Sequence, residues 1–425
     1  MRTFLMIWVG QFASLLGSEM TNFAITIWAW EMTGQATPLS SILAVSQIPK
    51  LLISPFVGVW VDRFNRKSLM LLGDLVAGLS TLGLLALFLT DHLLIEHLYW
   101  SSAINGLFGY VQKLAYSASI SSLVTQAHYT RVSALESLQL SGSYILVPAL
   151  AASIYAVTGL SGILVIDIVT FVGAMSTLSF VTLPQPSFTN SNSATTAGLQ
   201  PFFDQLTFGL RYLWQRPSLR TLLGFFLISN FIDSASFAIL PAMVLARSNN
   251  NVALWGNLFA LFGLGGILGG LTISIWGGPK RHIHGVLMAN AVWKGGLIVL
   301  ALAQRTWLKV GTALVSGFCS PFPDSSNQAL WMSKVEPEVQ GRVFATRFLM
   351  TQLATPLGAA IAGPLADRVF EPAMRSQEPL AKVLGGIFGT GLGAGMAVQM
   401  ALFASCGVMI ALGGYKVRRL RELEI

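Results

Sequence analysis

Charged side chains interrupt the long apolar stretches of this chain at a small number of positions. An ionised group in hydrocarbon is costly, and it is retained mainly where it binds a proton, an ion or a substrate. Desolvation favours the protonated form of a carboxyl group and a nearby cation favours the ionised form, so such a group can take up and release a proton. The residues selected on this basis for proton coupling or for a substrate cavity are Glu19, Asp233, Asp324, Lys50 and Lys113, with the polar Gln11, Asn22 and Asn230.

Three carboxylates rank highest among these candidates. Glu19 comes first because its apolar stretch also holds polar residues, including Asn22. Asp233, which lies near Asn230, comes second, and Asp324 comes third.

Some of the same charges have a structural interpretation. Glu19 and Lys50 lie in neighbouring apolar stretches at similar depth, which is also the pattern of a structural ion pair. Asp74 and Asp167 are interpreted as helix-packing partners, and this reasoning assigns no role to Lys294.

Catalytic chemistry is not predicted. The five histidines lie in or beside loops, both cysteines lie in apolar runs, and the chain contains neither H-E-x-x-H nor G-x-x-x-x-G-K-[ST]. The first motif binds zinc and the second binds nucleotide phosphates. We therefore predict no catalytic residue, no metal and no cofactor; a membrane-embedded enzyme or a channel is the alternative from a different class.

The composition indicates the elements that position these charges. Of the 425 residues, 53% are hydrophobic and 10% are charged, and the mean hydropathy is +0.65. Soluble domains carry about 25% charged residues, so a soluble fold is excluded. Apolar stretches of about 20 residues span a bilayer as helices. The prediction is an all-α polytopic membrane protein with twelve transmembrane helices at 4–30, 40–61, 68–90, 98–123, 137–157, 163–183, 221–246, 252–277, 285–304, 310–332, 343–365 and 384–415.

The basic residues predict the orientation. Lys and Arg are much more frequent in the predicted loops on the side of the N-terminus, which places both termini in the cytoplasm. The net charge of +8 is then explained by topology and by contact with anionic lipid of the plasma (inner) membrane, without nucleic-acid binding.

The chain is predicted to divide near its middle. Residues 1–183 and 221–425 each form a six-helix bundle, and 184–220 form a cytoplasmic linker with a short amphipathic helix from Pro201. The halves resemble each other weakly, because helices with Pro148 and Pro356 follow similar loops. Both prolines lie among small residues such as Gly358, which suit helix packing or bending.

The loop after the second predicted helix carries a recognisable motif, Gly58-Val-Trp-Val-Asp62-Arg63-Phe-Asn65-Arg66-Lys67. It resembles the G-x-x-x-D-R-x-G-R-K motif of the major facilitator superfamily, with Asn65 in place of glycine. Asparagine also tolerates a left-handed turn. The resemblance extends over nearly the whole chain and implies the major facilitator fold.

This motif is expected to act as a conformational latch. Gly58 permits close helix approach, and Asp62 is placed to face the positive N-terminal end of the helix that begins near Val343. The basic residues Arg63, Arg66 and Lys67 are expected to hold the loop on carboxylates and on anionic lipid.

Three further segments, GQFASLLGS, PEVQGRVFATR and LADRVFEP, resemble the macrolide-efflux branch of this superfamily. The resemblance implies a secondary active transporter that exports amphipathic, macrolide-like or drug-like molecules by proton antiport and functions as a monomer. A dedicated exporter of a metabolite such as a siderophore is the alternative, and a facilitator or an importer is less favoured. The substrate itself is not predicted.

The orientation predicts a labelling pattern. In a cysteine-free background, cysteines introduced at Ser161 and Ala373 should react with an impermeant thiol reagent added outside intact cells. Cysteines at Ser193 and Glu424 should react only after permeabilisation. The opposite pattern would contradict the orientation.

Overall fold

The computed structural model describes residues 1–125, 128–181, 199–375 and 378–424. All regular elements in these ranges are helical, and no strand occurs in them. The helices are α1 Arg2–Thr33, α2 Ala36–Arg63, α3 Arg66–Leu89, α4 Ile95–Leu123, α5 Tyr129–Phe180, α6 Leu199–Gln215, α7 Pro217–Arg247, α8 Val252–Trp276, α9 His282–Leu302, α10 Thr306–Cys319, α11 Pro321–Lys334, α12 Gln340–Leu365, a π-helical turn Ala366–Phe370, α13 Glu371–Ala373, α14 Pro379–Phe388, α15 Ala394–Gly414, α16 Arg418–Arg421 and a 3₁₀ turn Glu422–Glu424.

Among the described residues, eight helical segments are long and apolar enough to cross a membrane. They are Ala36–Gly58, Arg66–Leu89, Arg131–Phe180, Pro217–Arg247, Val252–Trp276, His282–Leu302, Gln340–Ala373 and Ala394–Gly414. This confirms the all-α, multi-pass membrane fold. The predicted spans at 4–30, 98–123 and 310–332 are not in this set, so the number twelve stays a prediction.

A glycine divides the longest of these segments. Arg131–Phe180 has 50 residues, enough for two predicted spans. Gly159 interrupts α5 with φ 64° and ψ −159°, a conformation that only glycine adopts readily. The break lies between the predicted spans 137–157 and 163–183.

Two predicted spans are not continuous helices. The stretch 310–332 is divided at Ser320, because Pro321 begins α11 and lacks the N–H that would continue the hydrogen-bond ladder. The prediction of one helix over 384–415 is wrong. Gly389 and Gly393 have φ of 81° and 85°, which ends α14 and starts α15.

The described chain clusters into two compact units that differ slightly from halves of the sequence. The first consists of Met1–Ala29 and Val45–Phe202, and the second consists of Trp30–Ala44 and Phe203–Ile425. The corner between α1 and α2 therefore groups with the second unit.

Apolar side chains between helices form the core of each unit. In the first unit α3 packs on α4 and α5, and its buried cluster includes Met70, Val111 and Leu178. In the second unit α12 packs on α7, and α15 packs on both α7 and α9. Close packing of α8 on α10 requires glycine, because a Cβ at Gly265 would lie 2.3 Å from the carbonyl oxygen of Leu314.

The end of α6 is fixed to the second unit by a polar contact. The Tyr212 hydroxyl donates a hydrogen bond to Glu336, and Arg216 donates one to the other oxygen of that carboxylate at 2.8 Å. The guanidinium of Arg216 also lies 3.6 Å from the centre of the Tyr212 ring. Leu213 is buried in the adjacent core.

This contact shifts the pKa values of both Tyr212 and Glu336, and each shift stabilises the docking of α6. Burial, with the hydrogen bond to Glu336, raises the pKa of Tyr212 to about 12. The hydrogen bond from Tyr212 lowers the pKa of Glu336. The carboxylate therefore stabilises docking above the ordinary carboxyl pKa, and this contribution is lost as pH falls through the lowered pKa. The phenol stabilises docking below about pH 10, its unfolded pKa, and this contribution is lost as pH rises through about 12.

The Tyr212 shift predicts a titration experiment. The difference in phenolate absorbance between wild type and Tyr212→Phe should titrate near pH 12, and Glu336→Gln should move that titration toward lower pH. The control is the same absorbance difference measured with Tyr129→Phe in place of Tyr212→Phe. Glu336→Gln should leave that titration unchanged. Titration of Tyr212 near pH 10 in the wild type would contradict the contact.

Candidate functional site

Glu19 lies in a polar patch of the first unit. Its carboxylate accepts a hydrogen bond from Asn22 and is influenced by the charge of Lys50. The side chains of Glu19, Asn22, Lys113 and Tyr144 are exposed, although these residues lie two or more turns from the ends of their helices. Lys50 lies within electrostatic range of both Glu19 and Lys113, and Tyr144 lies within range of Glu19.

Glu19 and Lys50 do not form a salt bridge. The ion pairs within 4.0 Å among the described residues are Arg216–Glu336, Lys294–Asp233 and Arg418–Glu422. The alternative of a structural pair between Glu19 and Lys50 is therefore wrong. Lys50 therefore acts on the Glu19 carboxylate only through longer-range electrostatic attraction.

Gln11, a candidate from the same predicted helix as Glu19, is bound to Asp74. Gln11 Nε2 donates to Asp74 Oδ2 at 3.0 Å, and Gln112 Nε2 donates to Asp74 Oδ1 at 2.6 Å. Gln112 also donates to Gln11 Oε1 at 2.9 Å, which joins α1, α3 and α4. Asp74 is 2% exposed, so this acid is a buried packing group whose hydrogen-bond donors are neutral.

Asp167 is satisfied in a similar way by hydroxyl groups. Ser18 and Thr21 of α1 donate to it at 3.1 Å each, and Thr81 of α3 donates at 2.8 Å. The carboxylate therefore ties α5 to two other helices of the first unit.

Asp233 and Lys294 form the buried charge pair of the second unit. Lys294 Nζ lies 2.9 Å from Asp233 Oδ2 and donates a second hydrogen bond to Asn290 Oδ1, also at 2.9 Å. Trp293 Nε1 donates to Asp233 Oδ1 at 3.1 Å. The Lys294 side chain is 0% exposed, whereas that of Asp233 is 28% exposed. Lys294, to which sequence reasoning gave no role, is the counter-charge of a leading candidate.

A glycine and a group of aromatic rings surround this pair. A Cβ at Gly407 would lie 2.3 Å from Lys294 Cδ, so the absence of a side chain on α15 makes room for the lysine. Trp293 stacks on Phe237 with ring centres 6.1 Å apart and packs edge-on against Phe262 at 5.3 Å. The carboxylate of Asp233 therefore lies beside an aromatic surface.

Asp324 is the other acidic candidate of the second unit. It is exposed and is influenced by the charges of Asp233 and Arg347. Arg347 donates to Gln328 at 2.8 Å. Asn230 is half-buried on α7, one turn from Asp233. At these positions the second unit thus holds two acidic residues, Asp233 and Asp324, and two basic residues, Lys294 and Arg347.

The basic residues of the loop motif have different partners from those expected. Arg66 Nη1 donates to the carbonyl oxygen of Ala118 at 2.7 Å, and Lys67 Nζ donates to those of Ser179 and Val181 at 2.8 and 2.7 Å. These carbonyl groups lie near the ends of α4 and α5, where the helix dipole is negative. Arg63 is exposed.

The remaining motif residues also differ from expectation. Asn65 has φ −61°, outside the left-handed region, and its side chain caps α3 by accepting from Ser68 N at 3.2 Å. Gly58 is exposed, and a Cβ there would meet no atom of the described residues within 4 Å. The predicted close helix approach is therefore absent at this glycine. The Asp62 side chain lies outside the described part of the chain.

The residues predicted for packing or bending lie inside helices. Pro148 and Pro356 are buried within α5 and α12. A Cβ at Gly358 would lie 2.5 Å from the carbonyl oxygen of Phe231, so α12 approaches α7 closely at that point.

Sequence reasoning did not select Asn290, Trp293 or Gly407 as members of the site. Asn290 precedes Lys294 by one helical turn, a spacing that places both on one face, so that pairing was recognisable. The contacts of Trp293 and Gly407 depend on tertiary packing.

Comparison with known proteins gives a consistent result. The profile described as Major Facilitator Superfamily matches residues 7–359. Macrolide efflux protein A of Streptococcus pyogenes is 27% identical over 374 residues, which cover 86% of this chain and 90% of that protein. Multidrug efflux pump Tap of Mycolicibacterium fortuitum is 22% identical, with 84% and 88% covered.

Solved transporter structures share the fold. The nucleoside transporter NupG superposes with a TM-score of 0.70 at 13% identity, over 98% of this chain and 99% of that one. A bacterial homologue of the human lysosomal transporter Spinster, in an inward-facing and unoccupied conformation, gives 0.70 at 12% identity over 100% and 98%.

The buried pair predicts that removing Asp233 alone destabilises the protein more than removing both charges. Asp233→Asn should lower the free energy of unfolding by about 3–5 kcal/mol, because it leaves the Lys294 charge buried without a partner. The double variant Asp233→Asn/Lys294→Met should recover most of that loss, and Glu422→Gln, in an exposed pair, should have little effect. Thermal unfolding in detergent measures this. Equal melting temperatures for wild type and Asp233→Asn would contradict the account.

Proposed function

Because the chain belongs to the Major Facilitator Superfamily, whose members here are transporters and not enzymes, we propose that it exports amphipathic small molecules in exchange for protons by alternating access. The efflux proteins among its relatives support the direction and the substrate class. The observation that carries the proposed proton coupling is that the Glu19 side chain is exposed and makes no salt bridge.

A coupling carboxylate must be able to gain and lose its proton during the cycle. A direct salt bridge opposes this, because a cation in contact favours the ionised form permanently. Glu19 is accessible, accepts a hydrogen bond from Asn22, and has Lys50 beyond salt-bridge distance. It therefore meets this requirement better than Asp233, whose charge is paired with Lys294.

The second unit supplies a surface suited to an apolar substrate. Trp293, Phe237 and Phe262 form a packed aromatic group beside the partly exposed Asp233. Aromatic faces bind apolar bodies and attract cations. A substrate with an apolar body and a basic group fits this combination, and Asp324 adds a second acid nearby.

The proposed cycle exchanges one ligand for another at Glu19. A substrate cation favours the ionised carboxylate and displaces the proton, and a proton that binds from outside displaces the substrate. Exchange of one proton for one substrate cation moves no net charge across the membrane, so the pH gradient drives it, with about 1.4 kcal/mol, or a tenfold substrate gradient, per pH unit. No cofactor is needed for this exchange.

The proposal includes location and assembly. The protein lies in the plasma membrane with both termini in the cytoplasm, and a single chain in contact with lipid performs the transport. The orientation is supported by the distribution of basic residues.

Transport by purified protein in vesicles tests the proposal. With a pH gradient imposed, wild type should accumulate a macrolide or another amphipathic drug against its gradient. Accumulation confined to one metabolite, such as a siderophore, would favour the dedicated exporter. Flux that never exceeds equilibrium would contradict antiport and indicate a facilitator or channel.

Glu19→Gln separates coupling from transport. The amide cannot exchange a proton, so this variant should lose accumulation driven by the pH gradient and keep downhill substrate exchange. Glu96→Gln, an exposed acid in the first turn of α4, is the matched control and should behave as wild type. Full accumulation by Glu19→Gln would show that another group carries the proton.

A further inference from the structure

The corner between α1 and α2 is held on the second unit by specific contacts. Residues Trp30–Ala44 cluster with that unit, whereas the chain on either side of them belongs to the first unit. Trp30 Nε1 donates to Asn250 Oδ1 at 2.8 Å. The strongest set of contacts lies a few residues further along, at the beginning of α2.

Asp367 caps the N-terminus of α2. Its Oδ1 accepts from Ala36 N at 2.9 Å, and its Oδ2 accepts from Thr37 N at 2.7 Å and from the Thr37 hydroxyl at 2.5 Å. Asp367 lies in the π-helical turn that follows α12. The acid therefore comes from a residue 331 positions away in sequence from the first helical N–H.

A glycine allows the two helices to meet at this point. A Cβ at Gly363 would lie 2.1 Å from Ser40 Oγ and 2.5 Å from Thr37 Cα. Ser40 is 0% exposed as a result. The cap and the close approach lie about one turn apart, at Ala36 and Ser40 on α2 and at Asp367 and Gly363 on the other side of the contact.

Neither helix supplies an acid for its own N-terminus. The first turns of α2 and α12 contain no Asp or Glu, and Val339 gives α12 no side-chain cap. A helix N-terminus carries unpaired N–H groups and about half a positive charge, so an anion stabilises it. Asp367 supplies that anion to α2.

The sequence suggests a reciprocal arrangement on the other side of the membrane. Asp62 lies in the last turn of α2 in the tripeptide Val-Asp-Arg, and Asp367 lies two residues after α12 in Ala-Asp-Arg. The loop motif already led us to expect Asp62 at the N-terminus of α12. Each helix would then carry, at or just after its C-terminal end, the acid that caps the other.

We propose that Asp367 is a releasable outer latch of the transport cycle, which holds α2 on α12 while the outer side is closed and alternates with Asp62 on the inner side. This inference rests on the alternating-access function proposed above. Asp367 touches neither substrate nor proton in this role; it sets the ratio of the two conformations. A few charge-assisted hydrogen bonds are strong enough to shift that ratio and weak enough to break in every cycle.

Buried Ser40 provides a direct readout of the latch. In a cysteine-free background, Ser40→Cys is labelled in intact cells with an impermeant thiol reagent. Asp367→Asn should raise the labelling rate on the order of tenfold, the size expected when a charged helix cap is lost. Thr37→Val removes the hydroxyl donor and keeps both backbone donors, so its increase should be smaller.

Arg368→Gln is the matched control, since Arg368 is exposed and adjacent to Asp367. It should leave the labelling rate unchanged. An unchanged rate in Asp367→Asn, or an equal increase in Arg368→Gln, would overturn the latch. If Asp367→Asn does not reach the membrane, the comparison of Thr37→Val with Arg368→Gln decides in the same way.

Reciprocity distinguishes a latch from a merely structural contact. Asp62→Asn should slow labelling of Ser40→Cys, because a weaker inner latch favours the conformation in which the outer side is closed. The double variant Asp62→Asn/Asp367→Asn should return toward the wild-type rate. Faster labelling in both single variants and an additive increase in the double variant would indicate general loosening and would overturn the proposal.

The labelling needs neither substrate nor a pH gradient. If labelling shifts as described and no tested compound is accumulated in vesicles, the latch stands and the proposed export function fails. If accumulation is observed and labelling does not shift, the export function stands and the latch fails.

Discussion

A charged or polar side chain at membrane depth must exchange water for another partner, and the arrangement of both units follows from this requirement. The second unit satisfies it with opposite charge, because the fully buried Lys294 is paired with Asp233. The first unit satisfies it with neutral dipoles. Two amide groups surround Asp74 and three hydroxyl groups surround Asp167, and each set of donors joins several helices.

Glu19 is distinguished by contrast with these three acids. It has neither a contact cation nor a shell of donors from several helices, and it is accessible. A group of this kind is free to respond to what enters its surroundings. The same contrast agrees with the interpretation of Asp74 as a helix-packing partner, since amide donors of two other helices occupy its carboxylate.

Much of the fold could be predicted from the sequence, because long apolar stretches and glycine or proline breaks are local signals. Gly159 lies between two predicted spans, whereas the break from Gly389 to Gly393 falls inside the single predicted span 384–415. The partner of Lys294 could not be predicted, because hydropathy gives the depth of a residue but not which helix it faces. The cap on α2 was missed because Asp367 lies beyond the apolar part of α12.

The room that Gly407 leaves for Lys294 has a consequence for how the chain enters the membrane. Membrane proteins are synthesised from the N-terminus, so Asp233 is made 61 residues before Lys294. A lysine at the centre of a helix opposes insertion by about 2.5–3.5 kcal/mol, and its counter-charge on α7 is already present when α9 leaves the ribosome. The glycine arrives later still, on α15, after both members of the pair have been synthesised. The order of residues along the chain thus means that the lysine enters the membrane only after a carboxyl group able to pair with it has been made.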